Sequence, residues 1–126
     1  MARGARTPQY LWSQAWISNT AEKQGLFGRA AYTAEDAAYY HHYSHQVLGR
    51  NEAQMFLCRV AAGSVSEEGM DWDSSIVKPP DGYDSIRGVV DLSGAAVYHA
   101  VMMYETNQLY AAYLITYRDY HRRGKL

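Results

Sequence analysis

Near its C-terminal end the sequence carries two strand-length apolar stretches around a short polar break. Ala100-Val101-Met102-Met103-Tyr104 is long enough for one buried strand. Glu105-Thr106-Asn107 reads as a turn, and Gln108 to Tyr117 alternates well enough for a second, longer strand. A hairpin of this kind must bury at least one face, so the rest of the chain has to supply elements that cover it. The 126 residues suffice for one compact domain and are too few for two.

The upstream sequence supplies those elements. Met55-Phe56-Leu57-Cys58-Arg59-Val60 is a short apolar run of strand length, and Val89-Val90 reads as a brief strand. Pro79-Pro80-Asp81-Gly82 is a turn signal, because proline presets one turn dihedral and glycine accepts positive φ. Residues 63–69 are loop-like and acidic. Leu11, Trp12, Ala15 and Trp16 recur at helical spacing after Thr7 and Pro8, which predicts an opening helix over 7–19. Thr33-Ala34-Glu35-Asp36 has capping-box spacing, predicting a second helix from about Ala34 to Val47 with Gly49 as its stop. The expected class is α+β: a helical first third, then a largely antiparallel sheet.

Composition narrows the function classes. Twelve tyrosines account for most of the 13% aromatic content, which suits half-buried strands or interfaces where a ring is covered and a hydroxyl is bonded. A net charge of −1 gives no general attraction to nucleic acid or anionic membrane. Cys58 is the single cysteine, so neither a disulfide framework nor a Cys-rich zinc site can form within the chain. Inside its apolar run it reads as a small buried hydrophobe. No stretch reaches the apolar length of a membrane span, and the opening residues lack the apolar core of a secretory signal. An intracellular protein is expected. His41 and His45 stand at i, i+4, a spacing zinc can use, but no third ligand follows and a surface or packing role fits better; no metal is expected.

Five segments in order resemble one family. Pro8-x-x-Leu11-Trp12 is similar to its opening segment, and Gly28-x-x-x-Tyr32-x-Ala34 to a Gly-x-Gly-x-Tyr-Phe-Ala stretch. Phe56-Leu57-Cys58-Arg59-Val60-x-x-Gly63 is similar to its central strand, and Pro79-Pro80-Asp81-Gly82-Tyr83-Asp84-Ser85-Ile86-x-Gly88 to the loop that follows. The tail, Asn107-Gln108-Leu109-Tyr110 with Tyr113-Leu114-Ile115-Thr116-Tyr117, looks like its last strand pair. The family is that of poly(ADP-ribose) polymerase-type ADP-ribosyltransferase catalytic domains, and the tankyrase and mono-transferase branches are the most similar. The resemblance implies a split, largely antiparallel sheet with a few flanking helices over a single domain, 1–126. Within it, 7–19 is the opening helix, 20–49 a degenerate donor-site segment with a helix, 54–117 the strand core and 118–126 a basic tail.

The resemblance also implies a chemistry and positions for it. These enzymes take NAD and break the bond between nicotinamide and ribose through an oxocarbenium-like transition state, which a carboxylate stabilises. By the family's spacing the slot of that glutamate is Ala100. Glu105 lies at an odd offset in the turn, and His99 is one residue out of register, so neither replaces it. The His-Gly pair that holds the NAD ribose and carboxamide has no counterpart, since the dipeptide does not occur; if Leu11-Trp12-Ser13-Gln14 is the strand that carries it, Ser13 and Gln14 stand in its place. Tyr32 and Tyr43 fit the two rings that sandwich nicotinamide, and Tyr40 takes the place of a small serine that bonds the carboxamide. The resemblance therefore implies a pseudoenzyme, a binding or structural module or a subunit of a larger assembly with protein partners. The alternative is an active NAD-dependent mono-ADP-ribosyltransferase. Trp12, Trp16 and Trp72 are the candidate partner anchors.

Overall fold

The computed structural model describes residues 10–18, 25–40, 45–47, 49–92 and 96–118. It is mostly β-sheet with little helix. Eight strands run in chain order: β1 (Tyr10–Ser18), β2 (Ala30–Ala34), β3 (His45–Val47), β4 (Glu52–Ala61), β5 (Val65–Gly69), β6 (Ser85–Asp91), β7 (Tyr98–Met103) and β8 (Leu109–Arg118). One short helix, α1 (Ala37–Tyr40), and a 3₁₀ turn at Thr106–Gln108 complete the described elements.

All eight strands join one hydrogen-bonded sheet, in place of the split sheet the resemblance implied. The reason is β1, which pairs with β2 along one edge and with β4 along the other. From there the sheet continues β2-β7-β6-β5. β8 lies along β4 from Glu52 to Val60, which leaves β1 and β3 to divide β4's other edge. Every pairing is antiparallel except β5–β6. The two strands expected around residues 105–107 are present as β7 and β8, but they do not form a hairpin: β7 pairs with β2 and β6, β8 with β4, and neither with the other.

Two predicted helices are corrected. Tyr10–Ser18 is a strand, not an opening helix. Its apolar spacing fits a helix face, but pairing with β2 on one edge and β4 on the other holds the segment extended, and long-range pairing outweighs the local pattern. The second helix shrinks to Ala37–Tyr40. Thr33 does not cap it: its Oγ1 donates to the Val101 carbonyl at 3.0 Å in the buried interior. Asp36 is the cap instead, with Oδ1 accepting from the Ala38 amide at 2.8 Å. His45–Val47 turns back as β3 onto β4, and Gly49 and Asn51 make the connecting turn with φ of 78° and 51°. His45 thus lies in a strand, and His41 lies outside the described residues. Residues 65–69, read as loop, form β5.

β7 is buried on both faces. Val101 and Met103 pack with Cys58, Val60 and Ala62, while Ala100 and Met102 pack with Phe27, Tyr32 and Ile86. Cys58 is buried as expected. β4 and β7 are three strands apart, roughly 14 Å in a flat sheet. Their side chains meet in one cluster, so the sheet curls over on that face.

Gln108 pins the turn between β7 and β8. Its Nε2 donates to the Asp84 carbonyl at 2.8 Å and to the Ala61 carbonyl at 3.1 Å, and its Oε1 accepts from the Glu105 amide at 3.2 Å. One side chain so joins the end of β4, the lead into β6 and the turn. Asp84 and Ser85 reinforce the corner: Asp84 Oδ2 accepts from the Ser64 amide at 2.7 Å, and Ser85 Oγ donates to the Ala62 carbonyl at 2.8 Å. Replacing Gln108 with alanine leaves these groups without their partner, and the expected loss is about 1–3 kcal/mol, measured as a lower urea midpoint at unchanged slope.

Candidate functional site

The register places the expected catalytic positions in one row. Gln14 on β1 stands opposite Ala34 on β2, Ala34 opposite Ala100 on β7, and Ala100 opposite Gly88 on β6. Ala34 and Ala100 are both 0% exposed. Ala34, Ala100 and Gly88 make a lane of small residues across three neighbouring strands. The ring of Phe27 lies so close over Gly88 that any added Cβ would overlap it.

Phe27 arrives there from a tight turn. Gly25 and Gly28 form an isolated antiparallel bridge, and the Gly28 amide donates to the Gly25 carbonyl at 3.0 Å. Gly28 has φ of 84°, and its missing Cβ leaves room for the Ile76 carbonyl. Two tyrosine hydroxyls hold the turn. Tyr32 Oη accepts from the Phe27 amide at 2.9 Å and donates to the Gly28 carbonyl at 2.7 Å. Tyr104 Oη donates to the Phe27 carbonyl at 2.5 Å.

Three tyrosines were expected around a nicotinamide ring. Tyr32 is 3% exposed, its ring within the Phe27–Ala100–Met102 cluster and its hydroxyl bonded to the turn. The backbone of Tyr40 closes α1, and its side chain lies outside the described part of the structure, as does Tyr43. A tyrosine that sequence reasoning passed over lies nearby. Tyr39, buried on α1, packs with Ala34 and Met55 and meets the Tyr98 ring at 5.6 Å between centroids.

The charged groups lie on the other face. Glu35 follows Ala34, so its side chain alternates away from the small-residue lane. Its carboxylate takes a two-point contact from Arg87, at 2.6 Å from Nε and 3.1 Å from Nη2, while Arg87 Nη1 reaches Glu67 at 3.0 Å. These carboxylates push the Arg87 pKa further up, Glu35 having the largest effect. His99 is half-buried opposite Val89, and alternation also turns it from the Ala100 face. Glu105 is exposed in the turn after β7. No cluster of three metal-ligating side chains occurs among the described residues.

The profile of the poly(ADP-ribose) polymerase catalytic domain matches residues 17–97, more than half of the chain. The chain belongs to that family. A search of curated proteins finds no match to it. Poly(ADP-ribose) polymerases use NAD as substrate, so the row just described is the part of the fold to test for NAD chemistry. The matched stretch ends three residues short of Ala100 and begins inside β1, so both the acid slot and Ser13 and Gln14 lie outside it. Leu11-Trp12-Ser13-Gln14 lies within β1, which pairs with β2. No helix among the described residues is long and apolar enough to cross a membrane.

Burial raises the pKa of both Tyr32 and Tyr104 above the ordinary tyrosine value of 10.0. A raised folded-state value means the unfolded chain loses these protons first as pH climbs. Their stabilisation is complete below pH 10 and declines above it. Urea midpoints are expected to fall as pH rises above 10, with a shallower fall in Tyr104→Phe; an unchanged slope in that variant would show that Tyr104 does not contribute.

Proposed function

We propose that this chain is a shortened, degenerate poly(ADP-ribose) polymerase fold that works as a binding or structural module. In this reading it belongs near the tankyrase and mono-transferase branches, acts with protein partners as part of a larger assembly, and does not transfer ADP-ribose. The observation that carries the reading is the state of Ala100. Cleaving nicotinamide from ribose develops positive charge on the sugar, and a preorganised carboxylate is the largest aid to it. Ala100 supplies neither charge nor hydrogen bond. It is wholly buried among Phe27, Tyr32, Ile86 and Met102, and the nearby carboxylates of Glu35 and Glu67 are engaged by Arg87 on the opposite face.

The NAD clamp gives a second support. With Ser13 and Gln14 in place of His-Gly, the hydrogen bonds that fix the ribose and carboxamide in the family are lost. Each such bond contributes about 0.5–1.5 kcal/mol. The degenerate positions therefore weaken ground-state binding as well as the chemical step.

Incubation of the full chain with radiolabelled NAD tests this directly. No label on the protein and no rise in melting temperature with NAD or a nicotinamide analogue are expected. Self-modification would establish the alternative, an active mono-ADP-ribosyltransferase with an unusual donor site, and a saturable NAD-dependent rise in the melting temperature of the parent chain would establish NAD binding. Ala100→Glu is expected to lower stability, because it places a carboxyl in an apolar cluster, and to leave transfer undetectable; gain of labelling in that variant would refute the loss of the clamp.

A further inference from the structure

We propose that the depression between β5, β6 and the 70–81 loop is a docking site for a lysine- or arginine-bearing segment of a partner protein. The site backs onto the small-residue lane through Ile86 but its charged and aromatic lining lies outside the lane, and it does not depend on whether the chain transfers ADP-ribose. It is a shallow, solvent-open depression of about 660 Å³, a shape that suits a surface segment of a partner. Ile76 and Ile86 contribute the apolar part of its lining, with Pro79 and Pro80.

Trp72 supplies an aromatic wall. Its indole Nε1 donates to the Val89 carbonyl at 2.8 Å, which sets the ring's orientation, yet the residue remains 46% exposed. A large ring whose only polar group is already bonded offers a partner its π-face. Such a face attracts an ammonium or guanidinium and suits the alkyl stem that carries it.

Charge selects the same ligand. Glu68, Asp71, Asp73 and Asp81 surround the depression against one cation, Lys78. In a chain of net charge −1 this is a local concentration of negative charge, and it disfavours phosphate-bearing ligands. Ser75 donates to Asp73 through both its amide and hydroxyl, which holds that carboxylate ionised.

The wall is also built in advance. The Asp73 amide donates to the Leu26 carbonyl at 2.8 Å, and the Asp71 amide to the Glu68 carbonyl at 2.9 Å. The Ile76 carbonyl fits against Gly28 on the turn that carries Phe27. A preformed wall loses little freedom on binding, so a single cationic side chain and its neighbours can be held. A polypeptide is favoured over a lone cation because the lining joins aliphatic, proline and aromatic surface to the charges.

Fluorescence anisotropy with a labelled peptide containing three arginines, titrated with the full chain, tests the proposal. Saturable one-to-one binding is expected, with a peptide of glutamines in place of the arginines not binding. Trp72→Ala should weaken binding about tenfold, Trp72→Phe should weaken it less, and Asp71→Asn should weaken it and flatten its salt dependence. Glu105→Gln, the same charge change in the β7–β8 turn outside the lining of the depression, should leave affinity unchanged. The proposal is overturned if Trp72→Phe and Asp71→Asn both bind like the parent, or if Glu105→Gln weakens binding as much as Asp71→Asn, which would make the attraction diffuse. Equal affinity for free spermine would assign the pocket to a small polyamine and overturn the protein partner. Melting curves of each variant separate lost binding from lost folding.

Discussion

Phe27 has both of its backbone polar groups satisfied by tyrosine hydroxyls while its ring lies over Gly88. Tyr32 comes from β2 and Tyr104 from the end of β7, so one residue of the front turn ties neighbouring strands together. The contact has strict requirements. Gly88 must lack a side chain, Gly25 must leave room for the Tyr32 ring, and Gly28 must take positive φ against the Ile76 carbonyl. Buried amides and carbonyls without partners are costly, so the turn, both tyrosines and the glycine on β6 are set as a unit.

That unit links the two regions with functional interest. On its inner side lies the lane of Ala34, Ala100 and Gly88, where an acid would stand in a transferring member of the family. On its outer side the 70–78 loop leans on Leu26 and Gly28 and brings Trp72 and its acidic neighbours into place. The same apolar packing that leaves the lane without charge thus supports a surface rich in it.

Parts of this arrangement are legible in the chain. The strands around Phe56–Val60 and Ala100–Tyr117 stand out because apolar and aromatic residues at strand length leave few alternatives, and Pro79, Pro80 and Gly82 mark where the chain turns. Tyr32 and the Ala100 slot follow from motif spacing. Less was legible near the front. Leu11, Trp12, Ala15 and Trp16 suit a helix by spacing, and only pairing with both β2 and β4 makes them a strand. Thr33 looks like a helix cap, but its hydroxyl is taken by Val101, 68 residues away. β5 has almost no signal of its own, because its parallel partner β6 lies across a long connection. Gln108 is visible as a motif residue, yet nothing local says that its amide will bridge Ala61 and Asp84.

The sequence by itself determined the family, the lack of any His-Gly dipeptide and the single cysteine, because these depend only on which residue stands at a position. The tertiary structure decided the rest: that β1 bridges the sheet, that Tyr32 and Tyr104 hold Phe27, that Glu35 turns to Arg87 on the far face, and that Trp72 is set among carboxylates. Each of these is a contact between residues distant in sequence. Local propensity is worth a few tenths of a kcal/mol per residue, and burial and pairing across the sheet outweigh it.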